Sequence, residues 1–203
     1  MSRALLELVK KNFPAAVVET HAQHGDETAV IDPARWHEVA SFLRASPQAD
    51  MNMLVDLTAV DYPDREPRFE VVAHFYSLAK GHRIRLKARV GERDGSGAHV
   101  ASLSDLWGSA NWLERECWDM FGVVFVGHPD LRRILLYPEF VGHPLRKDYP
   151  ADRIQPLVEY RDVPAIDKVA PFRHDEGMSF GRQSFDHVSG ADDGELFPDR
   201  KAN

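Results

Sequence analysis

The chain has 203 residues, 43% of them hydrophobic, enough for one domain with a packed core and too few for two of ordinary size. A net charge of −7 argues against a binder of nucleic acid or of an anionic bilayer, because a polyanion would first meet repulsion. The single cysteine, Cys117, excludes an internal disulfide framework and points to a reducing compartment. One thiolate cannot by itself hold an iron–sulfur cluster, so electrons passing nearby would have to be carried by another chain.

In "MSRALLELVKKNFP", Leu5, Leu8, Val9 and Phe13 lay one apolar stripe on a short helix that Pro14 stops. Glu7 interrupts the apolar stretch and no small-residue cleavage site follows, so the segment reads as a helix of the mature protein and not as a signal peptide. No apolar run approaches the ~20 residues that span a bilayer, which leaves membrane contact to partners.

The stretches "AVVETHAQ" and "ETAVID", separated by His24, Gly25 and Asp26, suit a strand pair with a tight reversal. Asp32 offers an N-cap carboxylate with Pro33 at the first helical position. Trp36, Val39, Ala40 and Leu43 then recur at i, i+3, i+4 and i+7, predicting a second helix. "MNMLVDLTAV", "RFEVVAHFYSL" and "HRIRLKARV" are strand candidates joined by "DYPDREP" and "AKG", links too short for parallel crossovers, so an antiparallel meander is expected. In the last of them Ile84, Leu86, Ala88 and Val90 alternate with Arg83, Arg85, Lys87 and Arg89. That basic stripe, with Asp56, Glu70 and His74 on neighbouring polar faces, reads either as a solvated face with cross-strand ion pairs or as a docking face for an acidic partner.

"VGERDGSGAHV" reads as a loop without the dinucleotide-binding glycine order, and the chain has no phosphate-binding loop and no Cys-x-x-Cys. A third helix is predicted over 112–121, with Asn111 and Glu114 as a capping box and Gly122 as its stop. Leu113, Cys117 and Met120 or Phe121 form its apolar stripe, Trp112 and Glu116 flank that stripe, and Arg115 and Asp119 stand one turn apart as an ion pair. Trp107, Trp112 and Trp118 are expected as core or interface anchors. Two near-copies follow, "GHPDLRR" and "GHPLRK". Pro129 and Pro144 force His128 and His143 toward extended geometry, so both copies read as ordered loops with arginine forks.

Beyond residue 150 the pattern becomes proline-punctuated and charged, with scattered anchors such as Val158, Tyr160, Phe172, Phe180 and Phe185. The expected organisation is therefore an α+β domain over 1–150, with three helices and about five strands in a mostly antiparallel sheet, and a long irregular C-terminal arm over 151–203.

Glu114, Glu116, Asp119 and His128 or His143 could be metal ligands, which would make the chain a soluble metal-dependent enzyme. Against this, Glu114 and Glu116 point to different faces of a helix, and no H-E-x-x-H or Glu-x-x-His pattern occurs. No G-x-S-x-G elbow is present, and Cys117 lies on the apolar stripe, where a thiol is ordinarily inert packing. The alternative is that arginines and carboxylates clamp the chain's own turns and present a rigid surface, with a buried pair at Arg132.

The run E-R-E-x-x-D-M-F, followed after six residues by His128 and then by Arg132 and Ile134-Leu135, resembles the signature of the 30 kDa (C-type) subunit family of respiratory NADH:quinone oxidoreductase, complex I. "GHPLRKDYP" fits as well, and the preceding α+β order is similar. After Pro150 the chain departs from that family's short Leu-Thr-Gly-like turn and continues "ADRIQPLVEY". The resemblance implies a subunit that binds no cofactor itself, in the peripheral arm of a complex whose other members carry FMN and iron–sulfur clusters from NADH to quinone, coupled to proton pumping. It implies docking on the 49 kDa (D-type) subunit with the B-type subunit nearby, and a peripheral position on the cytoplasmic side of a bacterial inner membrane. Glu114, Arg115, Glu116, Asp119, His128, Pro129, Arg132, Arg133, His143, Pro144, Arg146, Lys147 and Asp148 would then be structural and interface residues, with no catalytic or metal-binding residue among them. Related modules occur in membrane-bound hydrogenase-type complexes.

Overall fold

The computed structural model describes residues 4–158; the remainder of the expected arm, with Tyr160, Phe172, Phe180 and Phe185, lies outside the described residues. Helix α1 (Ala4–Asn12) leads into the hairpin β1 (Val17–His21) and β2 (Thr28–Ile31), whose reversal places His24 and Gly25 at positive φ. Helix α2 (Trp36–Ala45) precedes β3 (Met53–Asp61), β4 (Phe69–Ser77) and β5 (His82–Val90). The short strand β6 (His99–Ala101), helix α3 (Ala110–Phe121) and the short strand β7 (Val124–Val126) complete the described elements.

Five strands form one sheet in the order β1-β2-β5-β4-β3, with β3, β4 and β5 as the antiparallel meander. The hairpin joins it through a parallel pairing of β2 with β5, so the sheet is mixed, with three of its four pairings antiparallel. The strand count exceeds the expected five because β6 and β7 form a separate parallel pair. The end of the expected loop over 90–100 is thus the start of β6, a strand too short to show an alternation.

Side chains decide which face is covered. Ile84, Leu86, Ala88 and Val90 of β5 and Phe69, Val71, Ala73 and Phe75 of β4 enter one cluster with Leu6 and Val9 of α1, Trp36, Val39, Ala40 and Leu43 of α2, and Cys117 of α3. Burying these side chains is the main drive for folding, at roughly 1.5–3 kcal/mol for each large apolar one. Asp32 accepts from Ala34 N at 2.9 Å, but it caps a 3₁₀ turn over Pro33–Arg35 that leads into α2, not α2 itself. Glu27 accepts from Leu6 N at 3.2 Å and so holds the start of α1 against the sheet.

The opposite sheet face carries the basic stripe, and each of its cations is paired. Arg83 and Arg85 meet Asp26 at 2.6 and 3.4 Å, Lys87 meets Glu70 at 2.7 Å, and Arg89 meets Glu19 at 2.9 Å and Glu70 at 3.5 Å. Of the two readings of this stripe, the geometry favours cross-strand ion pairing. A groove of 630 Å³ opens on the same face beside Met53, Val55, His74, Tyr76 and Arg83.

Candidate functional site

The charged residues of the signature gather around helix α3, at two places. At its C-terminal end Gly122, with φ 79°, closes the helix by donating its N–H to Trp118 O at 2.8 Å. One turn earlier Asp119 is 0% exposed and accepts at both oxygens. Arg133 Nη1 donates to Oδ1 at 2.6 Å, and the consecutive backbone N–H groups of Ile134, Leu135 and Leu136 donate to Oδ2 at 3.1, 2.9 and 2.9 Å. Burial alone would raise the pKa of this carboxyl; those N–H groups and the guanidinium outweigh it and hold the group below the usual aspartate range.

Arg133 also ties down the chain that follows, donating from Nη2 to Phe140 O at 2.8 Å and Gly142 O at 3.0 Å. Its guanidinium lies 5.6 Å from the centroids of both Trp118 and Phe140, Phe140 stacks on Tyr149, and Arg153 lies over Tyr149 at 5.9 Å. Aromatic rings and guanidinium groups thus alternate through a strap, residues 127–158, that has no regular secondary structure. His143 donates from Nδ1 to Asp119 O at 3.0 Å, and burial holds its pKa below the ordinary histidine range. His128 donates from Nε2 to Asn111 O and accepts at Nδ1 from Asp130 N, each at 3.0 Å.

A second clamp fastens the strap to the sheet. Arg68, at the entry to β4, makes a bidentate pair with Asp61, at the end of β3, with Nε to Oδ1 at 2.7 Å and Nη2 to Oδ2 at 2.9 Å. It also reaches Asp148 at 2.9 and 2.8 Å, and Lys147 N donates to Asp61 Oδ2 at 2.8 Å. Its hydrogen bonds to the Asp61 and Asp148 carboxylates keep the Arg68 guanidinium charged although it is buried.

At the N-terminal half of α3, Glu114 is also 0% exposed, yet faces no arginine. Ser102 Oγ donates to Oε2 and Leu103 N to Oε1, both at 2.6 Å, which joins the helix to the segment after β6. Burial pushes its pKa up to about 7.

The model of the family "Respiratory-chain NADH dehydrogenase, 30 Kd subunit" matches residues 29–155, more than half of the chain. The chain belongs to this family. It is 41% identical over 183 residues to the C-type subunit of NADH-quinone oxidoreductase from Cereibacter sphaeroides, spanning 85% of this chain and 90% of that one. It is 47% identical over 146 residues to the corresponding subunit from Roseiflexus castenholzii, spanning 72% and 82%. Among solved structures it is similar to a trypsin-resistant fragment of Nqo5, with a TM-score of 0.54, 32% identity and coverage of 64% of this chain and all of the fragment. It is also similar to a chain of a membrane-bound sulfane sulfur reductase, an archaeal respiratory membrane complex, with a TM-score of 0.60, 25% identity and coverage of 73% and 85%.

In this 30 kDa-type chain several expected partnerships are replaced by others. Helix α3 begins at Ala110, so Asn111 lies inside it and makes no capping box; Glu114 is turned inward to Ser102 and Leu103 instead. Arg115 does not pair with Asp119. It donates to the carbonyls of Arg132 and Arg133, both at 3.1 Å, because the strap crosses its side of the helix. The arginine paired with a buried carboxylate is Arg133, whereas Arg132 has a side chain 71% exposed that meets Asp130 at 2.8 Å. Trp107 is buried against Phe75 and donates to Met51 O at 3.2 Å, but Trp112 is 70% exposed.

The candidate ligands do not converge. Glu116 is exposed, and Glu114, Asp119, His128 and His143 are each engaged with different backbone groups or hydroxyls. Among the described residues no three His, Cys, Asp or Glu side chains stand close enough together to hold a metal ion. No helix of the described residues is long and apolar enough to cross a membrane. Asp61 and Arg68 were absent from the expected site. The meander supplies the one signal that could have found them, since it sets the two ends of "DYPDREPR" side by side.

Proposed function

We propose that this chain is a non-redox structural subunit of the peripheral arm of a proton-translocating NADH:quinone oxidoreductase. In this reading it docks on the 49 kDa (D-type) subunit, close to the B-type subunit, on the cytoplasmic side of a bacterial inner membrane. FMN and iron–sulfur clusters reside in other subunits, and this chain carries no catalytic, cofactor-binding or metal-binding residue. The observation that carries the reading is where the charges around helix α3 and the strap direct their hydrogen bonds. Asp119, Arg133, Asp61, Arg68 and Asp148 direct their hydrogen bonds to one another and to the strap's backbone, which makes a rigid surface from a segment without secondary structure. The continuation of the strap, the arm over 151–203, is then the part that lies across neighbouring subunits.

Native mass spectrometry of gently solubilised membranes tests this. Recovery of the chain in one assembly with flavin and iron–sulfur proteins is the expected result. Recovery of the chain alone, or turnover of a substrate by the isolated chain, overturns it.

A second reading rests on the likeness to the sulfane sulfur reductase chain: the same kind of subunit serving a related membrane complex, of hydrogenase or reductase type, with a different electron donor. The proteins recovered with the chain, and whether NADH reduces the assembly, separate the two readings.

A further inference from the structure

Of the arginines around helix α3, Arg68 and Arg133 have carboxylates and Arg115 has two carbonyl oxygens, whereas Arg146 has an acceptor for only one of its three nitrogens. Its Nε donates to Phe121 O at 2.6 Å, and Nη1 and Nη2 have no acceptor among the described residues. The side chain is half-buried, with its guanidinium 5.2 Å from the centroid of the Phe69 ring, and the Arg68 guanidinium is at the same distance from that ring. Burial and the neighbouring Arg68 both push against its charged form; the two carboxylates that act in its favour, Asp148 and Asp61, are hydrogen-bonded to Arg68. A half-buried guanidinium whose outer nitrogens face only water has already lost part of its hydration, so it exchanges that water for an anion at a reduced further cost and gains a charge-assisted pair.

The backbone keeps the space around this fork clear. A Cβ on Gly122 would collide with Nη2 and stand 2.6 Å from His143 Cδ2, and a Cβ on Gly95, where φ is 84°, would stand 2.9 Å from Nη1. A side chain at either position would displace the guanidinium. Neither Nη atom is among the fully buried, unpartnered polar atoms, so an incoming group can reach them. With Nε already used, what remains is the end-on face of Nη1 and Nη2, whose spacing suits the two oxygens of one carboxylate. The chain's net charge of −7, and Asp148 close by, disfavour a multiply charged anion such as phosphate.

The geometry points to Arg146 as the receptor for a carboxylate that no described residue supplies, an aspartate or glutamate side chain of a neighbouring subunit. This rests on the chain being one subunit of a larger assembly. Recovery of the chain alone defeats that premise before Arg146 is examined.

The test uses the assembled complex carrying Arg146→Lys, treated with a carbodiimide. The reagent activates a carboxylate, and the introduced amine displaces the activating group to form an amide only where the two were in contact. The expected product is a crosslinked peptide pair joining position 146 to an Asp or Glu of another subunit. A crosslink confined to this chain, or an intact complex without one, overturns the assignment to a neighbouring subunit. In the second case, a rise in melting temperature with acetate that is lost in Arg146→Gln identifies a free small carboxylate as the occupant, and no rise refutes the receptor altogether. If Arg146→Lys prevents assembly, phenylglyoxal labelling of the wild-type complex decides. Arg146 blocked in the complex but labelled in the dissociated chain supports the receptor, and labelling in both overturns it.

Discussion

Helix α3 carries two carboxylates five positions apart, both with no exposed surface, and their pKa values move in opposite directions. Asp119 is met by a guanidinium and by three consecutive N–H groups, which hold its pKa below the ordinary aspartate range. Glu114 is met by one hydroxyl and one N–H, with no cation, and is pushed up to about 7. Burial sets the cost in both places, and what the surrounding chain can donate decides the charge state. The difference also separates two kinds of fastening. The Asp119 end holds an irregular strap in place, and the Glu114 end joins two regular parts of the domain.

The severest way to break this contrast is Arg68→Ala, which leaves Asp61 buried without its cation, frees Asp148 and opens a void. Loss of one partner of a buried pair costs about 3–5 kcal/mol, and the added cavity places this variant at or above the upper end. Equilibrium unfolding in urea measures it; a loss below about 1 kcal/mol would show that the clamp is ornamental. Asp119→Asn is expected to follow at about 3–5 kcal/mol, since Arg133 then loses its counter-charge. Hydrogen exchange should report it first at Ile134, Leu135 and Leu136, the three amides that donate to Asp119. Unchanged protection there would show that the strap is held by something else.

The third prediction sharpens the contrast through pH. The folded pKa of Glu114, about 7, lies above its ordinary value of 4.5, so the folded form binds the proton more tightly than the unfolded chain. Its contribution to stability is fully present below pH 4.5 and is lost as pH rises through about 7, a change of about 3 kcal/mol by proton linkage. Asp119, held below its ordinary 3.8, has the opposite sign: its contribution is present above that value and is lost as pH falls through the depressed pKa. Glu114→Gln keeps an acceptor for Leu103 N and offers its amide N–H to Ser102 Oγ, which then accepts, so its urea midpoint should lose the decline between pH 5 and 7 that the wild type shows. A variant and a wild type with parallel profiles would contradict the assignment. The smallest effect is expected for Arg132→Ala, within about 0.5 kcal/mol of wild type, against a loss of several kcal/mol for Arg133→Ala, although the two residues are adjacent.

That adjacency marks where reading from the sequence stops. The helices and the meander were legible because apolar residues recur at 3.6 or 2 positions, and a buried face enforces such recurrence. Trp36, Val39, Ala40 and Leu43 are all buried as their spacing required. The three-residue strands β6 and β7 have too few positions for a period to show, and the parallel union of β2 with β5 depends on how distant segments stack. At the site, the residues were recognisable as a charged group but their partners were not. The i, i+4 relation of Arg115 to Asp119 is a local rule, and the strap, a distant segment, offered both residues better partners. The false capping box has the same origin, because Ser102 and Leu103 draw Glu114 inward.

What the sequence determined by itself is the set of elements, the apolar face of each, the absence of a thiolate set for a cluster, and the family to which the signature belongs. What only the tertiary structure decided is which charge meets which. Arg68 finds Asp148 across eighty positions, Asp119 finds Arg133 across fourteen, and Arg146 finds no acceptor for its fork among the described residues. Apolar burial is nondirectional and leaves a periodic trace along the chain, whereas a hydrogen bond is directional and short-ranged, and its partner is known only once distant backbone has been brought within about 3 Å.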